Sequence, residues 1–189
     1  MKFSITALFG LATVIICSAL SAQEPPKAAG PEKEHQWLQQ FVGDWVAESK
    51  GTAGPDQPEM ESKGKMKTRS IGGMWVINEI NAEMTGVTMT GVQIIGYDPA
   101  RKKYVGTWID SMTNYMWTYE GTVDATGKKI TLEADGPNFI TAGKTTKFRD
   151  EYEFKTADQI IATSSMLGED GKWVTFMSGT MTRDKSRNK

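Results

Sequence analysis

From residue 74 onward, apolar and polar side chains alternate with the period of two expected of strands that bury one face. Residues 74–84 and 87–97 carry this pattern on either side of Thr85-Gly86, a pair suited to a two-residue hairpin turn. The stretch 91–119 continues it: Asp98-Pro99 opens a turn, a strand restarts at Tyr104, and 111–114 returns the chain. Pairing Met84 with Val87 sets Asn78 opposite Gln93, Val76 opposite Ile95 and Met74 opposite Tyr97. Carried onward, the register sets Tyr97 beside Tyr104 and Trp108 beside Trp117. The predicted interior face is then Met74, Val76, Asn78, Ile80, Met89, Gln93, Ile95, Tyr97, Tyr104, Trp108, Trp117 and Tyr119. The outer face holds Glu79, Asn81, Glu83, Thr88, Thr90, Thr107, Thr118 and Glu120, interrupted by Trp75, Ile77, Val92, Ile94, Val105 and Ile109. Gly91, Gly96, Gly106 and Gly121 fall where tightly curved strands need relief.

Further strands are predicted at 59–69, after a loop at 50–57, and at 128–135, where Gly136-Pro137-Asn138 ends the strand. Others follow at 146–154, 159–167 and 173–182, the last two joined by Glu169-Asp170-Gly171. In 146–154, Lys147, Arg149, Glu151 and Glu153 alternate with Phe148, Asp150, Tyr152 and Phe154. Asp150 is a carboxylate in an apolar row. It either lies near a barrel rim, paired with Lys or Arg, or is a buried polar anchor for a ligand. Ahead of the strands, 32–42 has helical spacing, with Trp37, Leu38, Phe41 and Val42 on one side, and Gly43 stops it. The single histidine, His35, lies here and is expected as an exposed or capping imidazole.

The first 22 residues have an early Lys, an apolar run over 5–17 and a small-residue exit at Leu20-Ser21-Ala22, the pattern of a secretory signal peptide cleaved after Ala22. That run is shorter than the roughly 18 residues a spanning helix needs, so no membrane span is expected after cleavage. Ile15-Ile16 before Cys17 fit a lipidation site poorly, and without Cys17 the mature chain has no cysteine. Residues 23–31 read as a disordered spacer, 32–184 as a single barrel domain and 185–189 as a loose tail. The expected location is periplasmic or secreted.

Composition narrows the functions. The 189 residues suit one domain with a sizeable core, and 22 basic against 23 acidic side chains give no footprint for nucleic acid. No zinc, iron or calcium set, phosphate loop or nucleophile triad is spaced in the sequence, so no catalytic residues, metal or cofactor are predicted. Glu79, Glu120 and Asp150 remain as carboxylates that burial could tune for acid–base work.

A short helix, Gly43-Asp44-Trp45 and then a long meander resemble the lipocalin-type (calycin) barrels. In those the Trp packs across the closed end and an Arg near the last strand stacks on it, a place that Arg183 matches. More closely, His35-Gln36-Trp37-Leu38, Gly43-Asp44-Trp45, Gly72-Gly73-Met74-Trp75, Gly96-Tyr97-Asp98, the run Tyr104 through Asp110, and Glu120-Gly121-Thr122 resemble the bacterial family called domain of unknown function 1579, over roughly 34–182. The resemblance implies an all-β, antiparallel up-and-down calycin-like barrel of about 10 strands, closed at one end by the helix and usually exported. It implies no activity. A remoter similarity to haem-binding barrels meets strands that contain no histidine.

The leading expectation is a barrel that holds a small apolar or amphipathic molecule, with Asn78, Gln93, Tyr97, Tyr104, Trp108, Trp117, Tyr119 and Asp150 as candidate ligand-binding residues. The alternatives are a small-molecule hydrolase or isomerase using Asp150 or Glu79, and a structural or interaction protein with a filled core and the outer residues Trp75, Ile77, Val92 and Ile94 as its contact surface. Oligomeric state is not legible.

Overall fold

The hairpin register read from the alternation governs the centre of the molecule. The computed structural model describes residues 30–52 and 58–186, so the predicted signal peptide, all but the end of the predicted spacer, part of the 50–57 loop and the last three residues lie outside the described residues. A helix α1 (Lys33–Leu38) and a 3-10 turn (Gln39–Phe41) lead into strands β1 (Gly43–Gly51) and β2 (Met60–Ile71). The meander continues through β3 (Trp75–Met84), β4 (Val87–Asp98), β5 (Lys103–Asp110), β6 (Trp117–Val123) and β7 (Lys129–Pro137). It ends with β8 (Thr145–Thr156), β9 (Gln159–Leu167) and β10 (Trp173–Arg183). Every strand pairs antiparallel with its sequence neighbour, and β1 also pairs with β10, closing a ten-stranded barrel. Asn78 faces Gln93, Tyr97 faces Tyr104 and Trp108 faces Trp117, as the alternation requires.

The differences from expectation lie at element ends. The helix expected over 32–42 gives way to the tighter 3-10 turn after Leu38, because the chain must swing into β1 through Gly43 at φ 130°. Met74 is not in β3. It sits half-buried in the bend made by Gly72 and Gly73, both at positive φ, and its N–H donates to Ile71 O at 3.0 Å. β7 does not stop before Gly136: it runs on to Pro137, paired with Thr145, and Gly136 leaves the space that the Trp117 ring fills. At Gly96 the six-membered ring of Trp75 lies over the bare backbone, so this glycine makes room for a side chain.

The closed end is the densest part. Leu38, Phe41 and Trp45 are fully buried, worth about 1.5–3 kcal/mol apiece on transfer from water. Trp45 donates its indole N–H to Phe41 O at 2.7 Å, and the Arg183 guanidinium lies 4.2 Å over its ring, the stacking that the barrel resemblance implies. His35 is buried rather than exposed, and its capping role is seen in Nδ1 accepting the Glu32 N–H at 3.0 Å. Outside, β7 and β8 match charges across the ladder, with Arg149 on Glu133 and Lys147 on Asp135 at 2.6 and 3.4 Å. Such surface pairs reinforce register while adding little stability. Of the outer apolar residues, Ile77 is buried against its cross-strand neighbour Ile94, and Trp75 remains 40% exposed.

Candidate functional site

Interior side chains divide at a polar layer. Thr68 Oγ1 donates to Asn78 Oδ1 at 2.7 Å, Asn78 Nδ2 donates to Gln93 Oε1 at 2.9 Å, and Gln93 Nε2 reaches the Tyr152 hydroxyl at 3.2 Å. This chain of two amides between two hydroxyls runs from β2 through β3 and β4 and across the barrel to β8. Asn78 and Gln93 are almost wholly buried and satisfied by each other. A buried amide needs such partners, and having them leaves little for a ligand.

Below the layer the helix plugs the barrel. Tyr97 meets His35 and Tyr104 edge-on at 5.6 and 5.2 Å, and Tyr104 donates its hydroxyl to Glu34 O at 3.3 Å. Burial pushes the Tyr104 hydroxyl well above its ordinary pKa, so it stays a neutral donor. Asn78, Gln93, Tyr97 and Tyr104 thus form the floor and its support, not the wall of a cavity.

Above the layer lies a cavity of about 380 Å³, open at the end away from α1. Trp108, Trp117, Tyr119 and Asp150 line it, joined by residues the alternation did not single out: Phe139, Ser164 and Phe176. Phe139 belongs to a loop whose backbone Asn138 pins, its side chain accepting the N–H groups of Ile140 and Thr141 at 2.8 Å each. Phe176 sits at a bulge in β10, between the pairs Thr175–Ser165 and Met177–Ser164, and stands 6.2 Å from Phe148. Neither position has a periodic signature. Trp108 is fixed by its own strand, its indole N–H donating to Asp110 Oδ2 at 2.6 Å.

Asp150 faces the cavity and has no Lys or Arg partner among the described residues. Its Oδ2 accepts the Tyr119 hydroxyl at 2.5 Å and its Oδ1 the Ser164 hydroxyl at 2.6 Å. Burial raises its pKa above the usual carboxylate value, against the two hydrogen bonds, which favour the anion. Burial and the nearby Asp150 charge likewise hold the Tyr119 and Tyr152 hydroxyls protonated. Of the two readings of Asp150, the ion pair at a rim is replaced by this hydroxyl-bonded carboxyl in the wall. Glu79 and Glu120 are outside, beside Arg69 and Arg101 at 3.6 and 2.6 Å, and cannot serve a reaction in the cavity. Among the described residues no group of three or more His, Cys, Asp or Glu comes together to hold a metal.

The model of the family described as protein of unknown function (DUF1579) matches residues 30–183. No curated protein matches the chain. Among solved structures, Rv2717c from M. tuberculosis superposes with a TM-score of 0.60 at 16% identity, covering 82% of this chain and 99% of that one. The S-type phycobiliprotein lyase CPES from Guillardia theta gives 0.55 at 13% identity, covering 82% and 99%. At such identities the likeness is one of fold.

Proposed function

The chain therefore belongs to this family of unknown function, and we propose that it is a binding barrel that takes a small apolar or amphipathic molecule into its open half. The cavity carries the proposal: about 380 Å³ lies within the roughly 300–1,000 Å³ of pockets that hold small molecules. Its aromatic and Met wall supplies an apolar bed, and the hydroxyl-bonded Asp150 carboxyl stands in it as a polar handle. The proposal includes export: residues 1–22 act as the leader and the mature chain starts at Gln23. Native mass spectrometry of the protein purified from its own host's cell envelope tests both parts. The expected result is a polypeptide mass starting at Gln23 and a stoichiometric small molecule released on denaturation. An empty barrel that also fails to take up apolar fluorophores overturns the binding reading, and a mass that retains residues 1–22 overturns export.

A second reading, a hydrolase or isomerase, is favoured by the same carboxyl, because an acid of raised pKa in a largely apolar cavity is placed to exchange a proton with a bound molecule. Turnover of the released molecule that disappears in Asp150→Asn while binding persists would select it.

A further inference from the structure

The charged residues that line the cavity are all acidic. Its lining includes Asp110 and Asp150 but, among the described residues, no Lys, Arg or His. Glu48 borders it too, yet its side chain points outward to Lys63 at 3.3 Å. Asp110 is largely consumed, one oxygen holding the Trp108 indole and the other the N–H groups of Met112 and Thr113. Asp150 is not. A carboxylate offers about four lone-pair positions, and Ser164 and Tyr119 occupy one on each oxygen. The remaining acceptor capacity borders the cavity, and no counter-charge is provided.

We propose, building on the binding reading above, that the cavity is selective for hydrophobic amines. The apolar body lies against Trp108, Trp117 and Phe148, and the protonated amine donates to Asp150. The ammonium supplies the charge that the protein omits, and a charge-assisted hydrogen bond is among the stronger polar contacts. A carboxylate amphiphile meets the opposite situation: no cation to receive it and, above the folded pKa of Asp150, an anion in the wall to repel it. An alcohol of the same length falls between, donating one neutral hydrogen bond.

The test is a titration of the purified protein with decylamine, decanol and decanoate, followed through tryptophan fluorescence, since Trp108 and Trp117 stand in the wall. At a pH above the folded pKa of Asp150, decylamine is expected to bind at least about tenfold more tightly than decanoate, because juxtaposed like charges cost several kcal/mol. In Asp150→Asn the advantage of decylamine over decanol is expected to vanish while decanol still binds, with the variant's fold verified by its circular dichroism melt. Decanoate binding as tightly as decylamine overturns the inference, as does an amine advantage that survives in a folded Asp150→Asn. If that variant does not fold, the wild-type series decides alone. Failure of all three to bind falls on the binding reading itself, which separates the two claims.

Discussion

Asp150 shows what burial does to an acid that has hydrogen bonds but no counter-ion. Its pKa in the folded barrel lies above that in the unfolded chain, so the folded state binds the proton more tightly. Its contribution to stability is therefore complete below the unfolded value of about 3.9 and is lost as pH rises through the folded value. Asp150→Asn has no such proton to lose. Denaturant midpoints measured from acid to neutral pH are expected to show wild type losing stability relative to this variant as pH rises, and parallel curves would exclude a buried, desolvated acid. The sequence exposes Asp150 because a carboxylate in the row Phe148, Tyr152, Phe154 breaks a two-residue alternation. Tyr119 is legible for the opposite reason, as an aromatic residue that keeps the alternation of its strand. Ser164 is not: a small polar residue in a strand of mixed pattern says nothing about which acid it will meet. Asn78 and Gln93 were legible as facing partners, but whether two buried amides serve a ligand or each other depends on packing from β2 and β8, beyond any local pattern.

At the scale of the element, three tryptophans lie on glycines. A Cβ added at Gly136 would sit 2.0 Å from the Trp117 ring, one at Gly91 2.5 Å from that of Trp108, and one at Gly96 2.2 Å from that of Trp75. The first two pairs shape the cavity and the third decorates the outside, so equal substitutions should have unequal effects. Gly136→Ala drives the buried Trp117 ring toward the cavity and is expected to cost about 1–3 kcal/mol by overpacking and to weaken ligand binding. Gly96→Ala meets a Trp75 that is 40% exposed and can swing outward, with an expected cost below about 1 kcal/mol and no change in binding. Urea denaturation with an apolar fluorophore titration separates these outcomes, and equal losses in both variants would mean that the rings are not doing different jobs. Strand partners and registers were legible because a tight turn and a period of two leave one solution per hairpin. Strand ends were not, since Gly136 and Pro137 spell a stop locally while Trp117, on the neighbouring strand, fills the space that Gly136 leaves in the sheet.

For the whole molecule, the decisive contact joins its ends. Arg183, the last residue of β10, covers Trp45 and donates to Val42 O at 2.8 Å, Gln40 O at 3.1 Å and Ala157 O at 3.0 Å, holding the segment after α1 to the β8–β9 turn. Gly43 lies beneath it at φ 130°, a backbone conformation that favours glycine, and a Cβ there would meet the guanidinium at 2.6 Å. Arg183→Ala is expected to cost about 2–4 kcal/mol through lost charged hydrogen bonds and ring stacking. Arg183→Lys should recover only part of it, lacking the planar fork. Equilibrium unfolding decides, and a loss under about 1 kcal/mol in Arg183→Ala would show the clasp to be ornamental. The clasp also sets an order in time. Neighbouring hairpins such as β3–β4 pair residues close in sequence and can form early, whereas the seam between β1 and β10 joins Trp45 to Arg183 and must wait for almost the whole domain. Until then β1 keeps an open edge, which is the hazard for aggregation. The molecule is most exposed to misassembly during the interval before its final strand arrives, and a chain cut short of Arg183 stays in that interval.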